Sequence, residues 1–259
     1  MIRTKKTAIR SGKGYLPLLI RTGSIALFLV AWELSVRLGW IDSLFLASPV
    51  ETAAKLRWTT RMAAPHLYAT LTAFGAAFSA GVLLAVVLGF VINISRYTYA
   101  VFMPLLVLGV TIPKVTLLPL FILWFGIEKT TIIVYAALSA FFPMIVNVAA
   151  AGLEVKPNQV LLAKAMGYSN MQIYRKVIFP AMLPVLSSGL FYACNASMMG
   201  VFIVELALAR FGLGAFVHDF AMTFKTGELY AAVVLTASIT VVINMALWYM
   251  ARYFGRWRV

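Results

Sequence analysis

Few side chains in this 259-residue sequence are equipped for chemistry, and one of them stands in an expensive place. Lys114 falls inside an apolar stretch, residues 97–127, that also holds Pro104, Pro113 and Pro119. A lysine at the centre of a bilayer costs about 2.5–3.5 kcal/mol on insertion scales, so its presence asks for a reason. The prolines interrupt the helical hydrogen-bond ladder, which hydrocarbon tolerates where the backbone lines a cavity. A cation beside freed backbone would attract an anion on its way across. The structural alternative is a lysine that snorkels to the interface or pairs with Glu205 for assembly. Glu205, near the end of the apolar segment 179–209, could pair with a lysine, cap a loop or meet an external protein, and a structural role is the simplest. Asn147 and Asn195, central in their segments, are the remaining candidates for a pathway. With Asn93 and Asn244, however, they read first as hydrogen-bonding groups between helices.

Catalytic and metal chemistry find no such foothold. The single Cys194 lies in an apolar run and excludes an intrachain disulfide. His66 and His218 are the only histidines and belong to no H-E-x-x-H pattern. Ser11-Gly12-Lys13-Gly14 lacks the first glycine and the spacing of a phosphate-binding loop, so the chain is not expected to hydrolyse ATP. The Met198-Met199 pair and the many aromatics read as packing and interfacial belts.

The elements that hold these residues must be membrane helices. The chain is 63% apolar and 12% charged, whereas soluble domains have roughly 45–50% and about 25%. A spanning helix needs about 20 mostly apolar residues. Six segments qualify: 16–36, 67–94, 97–127, 130–153, 179–209 and 229–251. They are continuously apolar, not alternating, which excludes a transmembrane β-barrel. The first, interrupted by Arg21 and Glu33, follows a basic N-terminus as a signal peptide would. It is too long for one, and no A-x-A-like site follows, so a retained helix is expected. Between the first two segments, residues 50–62 form an amphipathic stretch after Ser48-Pro49, expected to lie on the outer membrane surface.

The net charge of +14 does not imply nucleic acid, because the basic residues sit at the ends of apolar runs. Placing both termini in the cytoplasm puts 14 basic residues inside, among them Arg3, Lys5, Lys6, Arg10, Lys13, Lys156, Lys164, Arg175, Lys176, Arg256 and Arg258. It puts 7 outside and leaves Lys114 in the membrane. The two halves differ in segment length and proline position, which argues against inverted repeats.

The cytoplasmic loop 154–180 is the most informative stretch. Pro157 suits the first turn of a helix. Gly167 suits its C-terminal cap. Ser169 and Gln172 make a capping box for a second helix that runs through Met171, Ile173, Tyr174 and Val177 to Pro180. Helix, glycine corner and helix form either an amphipathic hairpin on anionic lipid or a docking surface for a partner.

Ala163-Lys164-Ala165-Met166-Gly167-Tyr168-Ser169, followed by Val177-Ile178-Phe179-Pro180-Ala181-Met182-Leu183-Pro184, resembles the "EAA" coupling loop of binding-protein-dependent ABC permeases. Ala163, Gly167 and Pro180 match the pattern and Val177 stands for its isoleucine. Leu161 replaces the glutamate and Leu162 the first alanine, so the carboxylate is absent while the glycine corner is kept. Ile112-Pro113-Lys114 through Trp124-Phe125-Gly126-Ile127, Phe141-Phe142-Pro143-Met144-Ile145-Val146-Asn147, and Glu205-Leu206-Ala207 with Gly212-Leu213-Gly214 resemble spans of the nitrate/sulfonate/taurine branch. The likeness covers about residues 45–258. It implies an all-α integral membrane fold of the type I importer permease kind, one domain over 1–259 with a basic tail, 1–15, and the coupling loop. It also implies a homodimer in the bacterial cytoplasmic membrane, two cytoplasmic ATPase subunits that bind the ATP, and an extracytoplasmic binding protein delivering a small, usually anionic solute. By the same resemblance Ala163, Gly167, Tyr168, Ser169, Val177 and Pro180 form the ATPase-coupling loop, and the chain needs no cofactor of its own. A stand-alone carrier or channel would need coupling carboxylates, yet only Glu33 and Glu205 are membrane-placed acids. A membrane enzyme would need a nucleophile–base set or a metal cluster, and the sequence offers neither.

Overall fold

The computed structural model describes residues 15–254 except 94, 153, 154, 156 and 209. The basic N-terminal residues Arg3, Lys5, Lys6, Arg10 and Lys13, the loop residues Glu154 and Lys156, and Arg256 and Arg258 lie outside the described residues.

Among the described residues the chain is helical, with no strand. Helix α1 is Tyr15–Arg37, α2 Pro49–Met62, α3 Ala64–Ile92 and α4 Arg96–Thr111. A 3₁₀ turn, Lys114–Leu117, leads into α5, Leu118–Phe125, and then α6, Lys129–Ala151. Helices α7, Pro157–Ala165, and α8, Asn170–Ile173, precede a π-helical turn, Tyr174–Ile178. Helix α9, Phe179–Leu208, then α10, Leu213–Met222, and α11, Thr226–Phe254, complete the fold.

Among the described residues five helices are long and apolar enough to cross a membrane, with Asn170–Leu208 counting as one, and a bent pair, if counted as one span, makes a sixth. That pair is the expected third segment: Arg96–Thr111 and Lys114–Phe125 meet at 85°. The bend falls at Pro113. Ile112 before it is extended, with ψ 125°, as the proline ring demands of the preceding residue. Pro104 stays inside α4, and Pro119 sits at the start of α5, where its missing N–H costs nothing.

Helix α6 is the centre of the bundle and is sandwiched between α3 and α9. The face of α3 toward it is built mainly of small residues, Ala73, Ala77, Gly81, Ala85 and Gly89, at four-residue spacing, with Ile92 at its end. Small residues let helix backbones approach closely in a medium that supplies no hydrophobic driving force between helices. A Cβ on Gly81 would strike the Ala137 carbonyl. From the other side Gly200 of α9 rests on Ala136 and Ser139. Helix α1, in contrast, buries almost none of its apolar surface, as expected of a span facing lipid.

The stretch expected to be amphipathic is α2, capped by Ser48, whose side chain accepts the Glu51 N–H at 3.1 Å. It packs on α11, where Lys55 donates to Glu228 at 2.9 Å. That bond raises the Lys55 pKa above the ordinary 10.5. Leu213, Phe216 and Phe220 of α10 pack with Ala63 and Ala232 to close this end of the bundle. The α7–α8 hairpin is connected to the other.

Candidate coupling hairpin and membrane pathway

The hairpin is built by local chemistry. Gly167 has φ +79°, a conformation open to glycine at no steric cost. Its N–H donates to Lys164 O at 3.0 Å, and the Tyr168 N–H reaches back to Ala163 O at 3.1 Å, the paired bonds of a Schellman end. Two residues later a second helix begins. The Ser169 hydroxyl accepts the Gln172 N–H at 3.3 Å, and Gln172 Oε1 accepts the Ser169 N–H at 2.9 Å. Ala163 and Ile173 are buried inside the corner, and the Lys176 ammonium stands 5.0 Å from the centroid of the Tyr168 ring. Leu161, Leu162, Met166 and Met171 point outward, each 63–68% exposed. An apolar knob of this kind marks an interaction surface. Sequence reading placed the corner and left open whether its apolar side chains meet lipid or a partner; the replacement of the glutamate by Leu161 adds to this apolar exterior.

From Ser169 onward the chain does not break before the membrane. Val177 lies in the π turn, in which the Phe179 N–H bonds to Tyr174 O, five residues back. Pro180 follows in the first turn of α9. It has no N–H, so the ladder is interrupted there in any case, and a wider turn costs little.

The four candidate pathway residues each keep separate partners. Lys114 Nζ lies 3.4 Å from Val110 O and 5.6 Å from the centroid of Phe142. Asn147 donates to Pro143 O in its own helix at 2.8 Å. Asn195 Oδ1 accepts from Asn244 of α11 at 3.0 Å, while Asn93 donates across to Val148 O of α6 at 2.9 Å. Both are bonds between helices, as the sequence allowed.

Glu205 is 1% exposed and does not pair with Lys114. The Thr70 hydroxyl lies 2.9 and 2.8 Å from its two carboxylate oxygens and donates between them. Gly214 N–H donates to Oε2 at 3.0 Å, and Leu213 N–H donates to the Thr70 hydroxyl at 2.8 Å. The carboxylate therefore caps the N-terminus of α10, where unpaired N–H groups and the helix dipole favour negative charge. Gly212, with φ +123°, presses its Cα so closely on the carboxylate that a Cβ would collide with it. His66 Nδ1 sits 3.0 Å from Gly212 O. Of the sequence alternatives for Glu205, capping is the one observed. Thr70 was not singled out and His66 only as a histidine outside any metal pattern, since no local pattern joins Thr70 to a carboxylate 135 residues away or His66 to a glycine 146 residues away. Beside this cap a cleft of 530 Å³ is lined by Glu128, Lys129 and Arg210.

Known proteins resemble this chain in sequence and in fold. The taurine transport system permease protein TauC of Escherichia coli (strain K12) is 27% identical over 245 residues, covering 91% of this chain and 88% of that one. The riboflavin transport system permease protein RibX of Chloroflexus aurantiacus is 29% identical over 237 residues, 90% of this chain and 88% of that one. A putative aliphatic sulfonates transport permease protein, SsuC of Bacillus subtilis (strain 168), is 26% identical over 90% of this chain and 85% of its own length. An inward-facing structure of the MetNI methionine ABC transporter superposes with a TM-score of 0.64 at 20% identity, over 74% of this chain and 95% of the matched chain. At that identity it establishes the fold. A stand-alone carrier or channel is not favoured by these likenesses, because in such systems the permease is a non-catalytic membrane subunit and the ATPase a separate one. The family model for the binding-protein-dependent transport system inner membrane component matches residues 77–258, and the chain belongs to that family as the membrane-spanning permease subunit of an ABC importer.

Proposed function

We propose that this permease works as a homodimer with both termini in the cytoplasm, and that each copy receives one ATPase subunit on its α7–α8 hairpin. ATP is bound by those partners, and the permease carries no cofactor of its own. The observation that carries the reading is the exposed apolar knob of Leu161, Leu162, Met166 and Met171 on a glycine corner continuous with α9. Ala163, Gly167, Tyr168 and Ser169 shape the knob, and Val177 and Pro180 join it to the span. The solute is a small anion handed over by an extracytoplasmic binding protein, as the taurine and sulfonate systems among the relatives suggest. Lys114, with Asn147 and Asn195 deeper in the bundle, faces its path, and Glu205 holds the far end of α9. The whole chain acts as one membrane domain, with residues 1–15 as its basic tail and 154–180 as its coupling loop.

Gly167→Val tests the docking role. A β-branched residue forced into the left-handed region costs roughly 1–2 kcal/mol, enough to reshape the corner without unfolding the bundle. The variant should insert normally, copurify poorly with the ATPase and transport little. Normal docking together with normal uptake would make the hairpin a lipid-lying element.

A further inference from the structure

Lys114 stands at the foot of α4, where the chain turns through 85°. The last carbonyls of a helix have no N–H of their own to accept, and Pro113 has none to give. Lys114 Nζ reaches back to one of them, Val110 O, at 3.4 Å, the long limit for a hydrogen bond. Its other contact is the face of Phe142 on α6, 5.6 Å to the centroid. No carboxylate pairs with it: the ion pairs among the described residues are Glu33–Arg37 and Lys55–Glu228. A membrane cation is thus held by one stretched hydrogen bond and one ring, both weaker than a charge-assisted bond to an anion.

The ring itself is held in place. It lies so close to Gly109 of α4 that a Cβ there would overlap it. It also meets Phe141 edge-on, with centroids 5.3 Å apart and planes at 73°. The lysine side chain, in contrast, is long and can leave.

We propose that Phe142 is the resting seat of the Lys114 ammonium and so a specificity-determining residue of the membrane path. A small monovalent oxyanion takes the ammonium from the ring as it passes, and the ring takes it back on release. The proposal rests on the reading that Lys114 faces the path. It gives the ring a defined role, because a conducting site must bind strongly enough to admit its solute and weakly enough to release it. Phe142 competes with the anion for the same cation and keeps the site weak. Removing the ring should therefore tighten anion binding, by the strength of the lost contact. A merely structural role for Phe142 would not produce a gain in affinity.

The test uses the permease–ATPase complex in nanodiscs with its lysines ¹³C-dimethylated, the Lys114 signal being identified by its loss in Lys114→Arg. Methanesulfonate is the probe. In the wild type the Lys114 methyl signal should be displaced upfield by the ring current, relative to its position in Phe142→Leu, and methanesulfonate should move it toward that position. Phe142→Leu should bind methanesulfonate about 2- to 30-fold more tightly, the range a cation–π contact corresponds to. Phe142→Tyr, which keeps a ring, should behave as the wild type and separates the ring from general damage to the fold. A Lys114 signal at one position in wild type and Phe142→Leu, or equal or weaker methanesulfonate binding in Phe142→Leu, overturns the proposal. Undiminished uptake by Lys114→Met overturns the pathway reading beneath it, whatever the spectra show.

Discussion

Replacing Thr70 by valine removes one hydroxyl from the Glu205 cap while leaving the shape of the side chain. Two hydrogen bonds go with it. One is the bond donated to the carboxylate, and hydrogen bonds to charged groups contribute about 1.5–3 kcal/mol. The other is accepted from Leu213 N–H, and a buried donor left unpaired costs about 1–3 kcal/mol. Leu213 and Thr70 are both fully buried, so water does not replace the lost partner. Hydrogen bonds between membrane helices average nearer 0.6 kcal/mol, because the separated helices find other partners. Taking that discount into account, the loss should be about 2–3 kcal/mol and local to the start of α10. Hydrogen exchange of the amides of Phe216–Met222 reads that opening directly. Protection should fall about 30- to 150-fold in Thr70→Val, while Thr70→Ser, which keeps the hydroxyl, should stay near the wild type. Protection unchanged within about threefold would mean that packing of Leu213, Phe216 and Phe220 holds α10 without the cap, and the hydrogen-bond reasoning would be refuted.

Three other outcomes are expected. Lys114→Met should abolish or strongly reduce anion uptake in vesicles while the complex still assembles; a variant that merely fails to assemble would not support a pathway role. Reporter fusions after Val259 and within residues 212–228 should mark opposite sides of the membrane, and a shared side would sink the proposed orientation. Lys55, its pKa raised by the bond to Glu228, should stabilise the α2–α11 contact wherever Glu228 is ionised and pH lies below the ordinary 10.5, and lose that contribution as pH rises through its higher folded value. The difference in thermal midpoint between wild type and Lys55→Met should therefore be flat from about pH 7 to 9, and a slope there would show that another group titrates.

How much of this was legible depended on how local the determinant was. The uncharged run at 67–94 became Ala64–Ile92 and the run at 130–153 became Lys129–Ala151, because continuous hydropathy over that length has one solution in a bilayer. The hairpin followed the same logic: Gly167, Ser169 and Gln172 settle a corner among near neighbours. Local sequence could not rank the prolines. Pro104, Pro113 and Pro119 interrupt one apolar segment, yet only at Pro113 does the axis swing by 85°. The π turn went unread for a similar reason, its cue being one residue without an N–H group, Pro180, just past it. Contacts across long sequence distances were out of reach. Nothing near Glu205 announces Thr70, and nothing near Lys114 announces the Phe142 ring, because helix packing brings each pair together. The seat emerges only once the end of α4 stands against α6, and the cap only once α3, α9 and α10 meet.

From Asn170 to Leu208 the chain is one helical rod of 39 residues. The Glu205 cap pins it close to one end and the exposed knob adjoins the other, so under the proposed coupling role it has the geometry of a lever with its fulcrum at the cap. At about 1.5 Å per residue the driven end lies about 52 Å from the pivot, and each degree of tilt moves it about 0.9 Å. Asn195, about 15 Å from the pivot, moves about 0.3 Å for the same degree. The gearing reduces stroke and multiplies force toward the Glu205 end. Compliance sits where the π turn, Pro180 and Pro184 weaken the rod, next to the load that is applied and far from the fulcrum.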